Sequence, residues 1–213
     1  MPGSAGDVSA FVLVRRLEED LQLPTGFFQA LLKEDDWSFL IKLHALFEAA
    51  LSHVIVHRLG CETLSGPMSR LEMSDKDKGK IAFASALGLI GQDERRYIIQ
   101  LSQLRNRCVH DVREAATFNL QTACAAMDTT QKKTFVKAIC GTEGDEKYEE
   151  NGRKMTRKDL VLKEPKMFVW RVGMFVLAAL CLQKENEELR RERRRLMEDF
   201  FANSPANLLS GKA

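Results

Sequence analysis

Apolar side chains recur at three- and four-residue spacing along nearly the whole chain, and only five prolines interrupt them. That spacing gives each helix one apolar stripe, whereas a half-buried strand would alternate residue by residue. The fold class it dictates is all-α. Val8 to Leu21 reads as a first helix and Thr25 to Lys33 as a short second one after Pro24. Asp35 or Asp36 can cap a long third helix that runs through His57 and is closed by Gly60. Ser74 with Asp77 resembles a capping pair for a helix from Lys76 to Leu89, which Gly91 ends. Asp93 then opens a helix whose apolar positions Ile98, Leu101 and Leu104 lead into Arg105. Two shorter helices are predicted near Asn119 to Met127 and Thr130 to Ile139.

From Gly141 to Gly152 the chain is polar, glycine-bearing and without periodicity, which predicts a mobile loop over 141–153. From Lys166 an apolar helix continues into the charged run Gln183 to Arg195. The predicted organisation is a flexible N-terminus over 1–7, a helical domain over 8–182, and a charged helical extension with a loose tail over 183–213. The extension has few core positions and is expected to project from the domain.

Charge and cysteine usage narrow the function classes. The 213 residues carry 32 basic and 30 acidic side chains, a net charge of +2, so attraction to nucleic acid would have to be local. The five cysteines are scattered and never form a Cys-x-x-Cys pair, which argues against a disulfide scaffold and a zinc knuckle and fits a reducing cytoplasm. The N-terminus lacks the basic and apolar regions of a secretory signal. The longest apolar run, Met167 to Leu182, is interrupted by Arg171 and falls short of the roughly 20 residues a bilayer span needs, so it reads as a buried helix and no membrane partner is expected.

The stretch Leu104-Arg-Asn-Arg-Cys-Val-His-Asp111 carries the chemistry. A helix, a glycine turn and a second helix ending in these residues resemble the Arg-polar-x-x-x-His signature of the HEPN superfamily. Within it, Lys80-Ile81, Ala86-Leu-Gly-Leu-Ile-Gly91, Leu104-Arg-Asn and Val-His-Asp111 are most similar to the mannitol-operon repressor group. The resemblance covers roughly Asp36 to Asp111, and more loosely the apolar helix after Pro165, and implies a HEPN-like up-down helical bundle. Arg107, the charged C-terminal helix and the acidic loop depart from the family core.

The resemblance implies RNA cleavage without metal or other cofactor, as in toxin or defence components that pair with an antitoxin protein, and a homodimer joined through the helices bearing the motif. The residue types suit that task. Histidine titrates near 6.5 and can take a proton from a ribose 2′-hydroxyl or deliver one to a leaving oxygen, which makes His110 the candidate acid or base. Arg105 stays charged and can hold the scissile phosphate, while Asn106 would orient it. On an unbroken helix Arg105 and His110 diverge by about 140°, so Arg105 must reach around or the helix must break. Alternatively, Arg105 and His110 cap the helix C-terminus and pair with a carboxylate such as Asp111.

Glu48 lies on the stripe Ile41, Ala45, Ser52 and Ile55 of the third helix, where a half-buried carboxylate needs a partner, and it is the candidate supporting residue together with Asp111 and Arg107. His53 and His57 stand four apart, but no further ligand accompanies them, so no metal site is assigned. The run Arg190, Arg191, Arg193, Arg194 and Arg195 offers phosphate contacts, with Arg190, Arg191 and Arg194 as candidates. The interleaved Glu187, Glu188 and Glu192 equally fit a solvated helix or a helix pair. Two functions follow: an RNA-binding or RNA-cleaving protein centred on Arg105 and His110, or a non-enzymatic transcriptional regulator or protein-interaction module of the mannitol-repressor type.

Overall fold

A computed structural model describes residues 5–75, 77–109, 117–141, 147–150 and 153–202. These form ten α-helices and one two-stranded sheet, an all-α architecture. The centre is α3 (Asp36–Leu59). Its buried residues, among them Phe39, Leu43, Phe47, Ala50, Leu51 and Ile55, fall on almost every side, as expected of a helix enclosed by others. The Asp35 carboxylate accepts from Ser38 N–H at 2.9 Å and starts the helix. Gly60, at φ 67°, stops it by donating to the carbonyls of Val56 and His57.

Around α3 pack α4 (Ser65–Arg70), α5 (Lys80–Ala86), α6 (Gln92–Val109) and the long α10 (Pro165–Ala202), and α1 (Ala5–Asp20) lies along α10. The shorter α2 (Phe27–Ala30), α7 (Leu120–Ala125), α8 (Thr129–Cys140) and α9 (Arg157–Lys163) complete the shell. Asn119 caps α7, and Asp128 with Gln131 forms a reciprocal capping box on α8. At α2 the cap comes from a distance: the buried Glu18 carboxylate accepts from Gly26 N–H at 2.9 Å and Phe28 N–H at 2.8 Å. By length and composition alone, α3 and α10 are long and apolar enough to span a bilayer, but 56% of each apolar window is buried inside the fold. The central helix of a bundle has the same character.

Three local expectations change. Ser74 and Asp77 do not cap a helix; instead Asp75 accepts from Asp77 N–H and Lys78 N–H, both at 2.9 Å, and this turn delays α5 to Lys80. Gly79 is required there, because a Cβ would lie 2.5 Å from the Glu72 carbonyl oxygen. Within the expected loop, β1 (Lys147–Glu150) and β2 (Arg153–Thr156) pair antiparallel, with Lys147 opposite Thr156 and Glu150 opposite Arg153. Thr156 then caps α9.

The third difference concerns the charged extension. Its first two turns dock rather than project: Glu187 is buried and ion-paired with Arg58, and Lys184 meets Asp20 at 2.7 Å. Arg191 donates to the carbonyls of His57 and Arg58, satisfying the open end of α3. Only from Glu192 onward is the helix surface continuously exposed, through Asp199.

Candidate functional site

The described part of the motif, Leu104 to Val109, occupies the last two turns of α6. Tyr97, Ile98, Leu101, Leu104 and Cys108 turn into the core, which leaves Arg105, Asn106 and Arg107 at the margin between core and solvent. Two bonds fix this end of the helix. Trp37 Nε1 donates to the Cys108 carbonyl at 3.0 Å, and Cys108 Sγ donates to the Arg105 carbonyl at 3.1 Å. The first occupies a carbonyl that a helix terminus otherwise leaves unpaired, and the second adds a side-chain donor to the turn before it. His110 and Asp111 lie outside the described residues.

The three side chains serve two faces. The charge of Arg105 is felt at His44 on α3, while one guanidinium N–H donates to Asn106 Oδ1 at 3.1 Å. His44 is half-buried, and burial pushes its pKa below the usual histidine value. Arg105 and Lys80 push the same way, and Glu48 opposes them. His44 therefore stands as a neutral imidazole near neutral pH, able to accept a proton. Sequence reasoning missed it. Its signal was the spacing to Glu48, four residues on along one helix face.

Glu48 meets an ammonium that sequence reasoning also missed. Lys80, at the first turn of α5, is fully buried, and its Nζ donates to Glu48 Oε1 at 2.8 Å and to the Ser69 carbonyl at 3.2 Å. An isolated buried ammonium would be costly, so Glu48 neutralises Lys80 and ties α3 to α5 beneath the motif.

On the other face, Asn106 and Arg107 open onto a groove between α6 and the pair α7 and α8. A cavity of about 460 Å³ lies against Arg107, Phe118, Asn119 and Thr122. A second, of about 430 Å³, lies against Gln103, Asn106, Arg107, Gln131 and Thr134. A third, of about 220 Å³, continues past Gln103 and Thr134 to Arg96, Lys133 and Lys137. Shared residues join the three into one trough, where amides, hydroxyls and cations alternate with apolar wall from Phe118, Ala123, Ala126, Ile99 and Ala138. Among the described residues that line it, none is acidic.

The C-terminal arginines lie elsewhere. Arg191 sits on the carbonyls of His57 and Arg58, whereas the charge of Arg105 is felt at His44. Thirteen residues of α3 separate His44 from His57, about 20 Å at the helical rise. Arg190 and Arg194 are exposed on that distant stretch and do not join the motif. His53 approaches Asp20 at 3.9 Å and His57 approaches Glu188 at 3.3 Å, both carboxylates also pairing with Lys184, and among the described residues no three potential metal ligands gather.

Comparison with protein-family models, with curated proteins and with solved structures finds no match for this chain.

Proposed function

We propose that the chain is an RNA-binding protein of the HEPN type, with Arg105, Asn106 and His110 as a metal-independent cleavage centre. The observation that carries this reading is the trough. It starts at Asn106 and Arg107, bears Arg96, Lys133 and Lys137 at its far end, and among its described lining residues has no carboxylate to repel a phosphate backbone. Neutral amides and hydroxyls between the cations suit sugar and base edges. Phe118 offers a surface on which a base can stack.

In this reading Arg105 holds the scissile phosphate and stabilises the charge that builds on it. One histidine takes the proton of the ribose 2′-hydroxyl, the freed oxygen attacks phosphorus, and the 5′-oxygen leaves with a proton from an acid on the opposite side. His110 supplies one of those groups. A symmetric pair of motifs, or His44 within one chain, would supply the other.

A second reading rests on a different observation. Arg105 already donates to Asn106, and the Arg105 and Cys108 carbonyls are both occupied, which is what a purely structural helix end needs. That pattern fits a non-enzymatic regulator of the mannitol-repressor type.

Incubation of purified wild type, Arg105→Ala and His110→Ala with mixed RNA in excess chelator separates the two. Cleavage by wild type that both variants lose, at nearly unchanged melting temperature, supports the first. RNA that stays intact with all three, or equal cleavage by all three, overturns it.

A further inference from the structure

Among the described residues nine large apolar side chains are exposed, and six of them stand on α10. Four of the six follow one another at intervals of seven: Phe175 (42% exposed), Leu182 (44%), Leu189 (68%) and Leu196 (59%). Single exposed leucines are ordinary. A strict seven-residue repeat is different, because it drifts only about 20° per repeat around a helix and so draws one nearly straight seam. This seam runs about 32 Å along α10 and continues beyond the part of the helix that the bundle uses.

The residues beside the seam say what covers it. With the four apolar residues at position d of a heptad, Ala179, Asn186 and Arg193 fall at a, Glu185 and Glu192 at g, and Gln183 and Arg190 at e. We infer that a second copy of this chain covers the seam, its α10 lying parallel and in register to make a two-stranded coiled coil from Leu182 to Met197.

Asn186, between the Leu182 and Leu189 layers, pairs with its own counterpart in a parallel dimer. An asparagine so placed fixes register and strand number at some cost in stability, to which Arg193 at the next a position adds. In the same arrangement Glu185 faces Arg190 of the partner subunit, and the converse pair forms across the axis. An antiparallel arrangement would set Asn186 against a leucine layer and bring the glutamates at g toward one another. The charge pattern therefore selects the parallel form.

The way α10 docks onto its own domain fits the same geometry. Lys184, Glu187 and Arg191 hold the helix to α1 and α3. They fall at f, b and f, the positions that a two-stranded coil leaves on its outside. Each domain body thus sits behind its own helix and leaves the seam free for the partner. Glu185 also pairs with Arg16 at 2.6 Å, but Arg16 is 57% exposed, and such a surface pair leaves the carboxylate free to engage the partner. With Asn186 and Arg193 interrupting the a layers, the association is reversible rather than obligate.

This dimer is independent of the RNA reading and is tested without RNA. Sedimentation of the full chain at micromolar concentration should give twice the chain mass. The Leu189→Lys/Leu196→Lys variant should sediment at the chain mass with an unchanged helical circular dichroism spectrum, since both side chains are exposed. Glu185→Lys and Arg190→Glu should each sediment as monomers, because each places like charges across the seam, while an equimolar mixture of the two should form a dimer. Three results would each overturn the inference: a monomeric wild type, a dimer that survives the two lysines, or a mixture that associates no better than its components.

Discussion

The indole N–H of Trp37 donates to the Cys108 carbonyl at 3.0 Å, so the first turn of α3 holds the last turn of the helix that carries Arg105. Its neighbour Asp36 accepts from Leu120 N–H at 2.8 Å, where the chain enters α7. Two consecutive residues thus anchor the chain on both sides of residues 110–116. Trp37→Phe keeps the apolar ring and removes only the donor, which should cost about 1 kcal/mol. For a chain of this size that lowers the melting temperature by roughly 2 to 4 °C. A calorimetric scan that matches wild type would show that this bond contributes nothing net to stability.

The Lys80 and Glu48 pair predicts an asymmetry. Glu48→Ala leaves a fully buried ammonium without its counter-charge and should cost about 3 to 5 kcal/mol. Lys80→Met replaces the ammonium by an apolar group of similar length and leaves a carboxylate that is 36% exposed and can turn to water, so its cost should be smaller, about 1 kcal/mol. Urea unfolding of both variants checks the order. Equal losses, or a greater loss for Lys80→Met, would mean that Glu48 is not there to neutralise Lys80.

His44 makes stability depend on pH with a definite sign. Its folded pKa is lowered, chiefly by burial and then by Arg105, so the unfolded chain, whose histidines titrate near 6.5, binds the proton more readily. Its contribution is complete above the unfolded value and is lost as pH falls through 6.5 toward the lower folded pKa. His53, lowered by burial and by Lys184, acts in the same direction. The His44→Gln/His53→Gln variant should therefore lose less stability than wild type between pH 7 and 5. Arg105→Met should also move the His44 ring titration upward in an NMR experiment, and an unmoved titration would place Arg105 away from His44.

The parts of this structure that were legible in the sequence are those set by neighbours along the chain. Asp35 and Gly60 bound α3 because a cap and a left-handed glycine act within one turn. The helices expected near Asn119 and Thr130 are found as α7 and α8, the latter starting at Thr129 behind an Asp128 cap that the expectation did not name. The failures are of two kinds. At Asp75 and in β1 and β2 a local signal competes with the broader pattern: an Asx turn in one case, and in the other the Asn-Gly dipeptide between Glu150 and Arg153, a common hairpin signature. At Lys80, Glu18 and Arg191 no local signal exists. Lys80 finds Glu48 across 32 residues and Arg191 finds the α3 carbonyls across more than 130, and only tertiary packing brings them together. The candidate site divides likewise: Arg105, Asn106 and Arg107 are read from their motif, while His44 joins them only once α6 lies on α3.

Arg107 and Arg191 provide the sharpest contrast between a cation assigned to RNA in the proposed function and one that holds the fold. Arg107 lines both larger cavities, and among the ion pairs of the described residues it has no carboxylate partner. Arg191 is 40% exposed, spends its guanidinium on the end of α3 and lies beside Glu187 at 3.7 Å. Arg107→Ala should weaken RNA binding and make the slope of log affinity against log salt shallower by about 0.7, the loss of one phosphate contact on a single strand, at unchanged melting temperature. Arg191→Ala should do the opposite, leaving the salt slope alone and lowering stability by about 1 kcal/mol through the lost hydrogen bonds. Fluorescence anisotropy over a salt series, beside thermal melts of the same preparations, measures both. If Arg191→Ala flattened the salt dependence and Arg107→Ala did not, the basic C-terminal helix would be the RNA surface. The trough along α6 would then be a seam between helices with no ligand of its own.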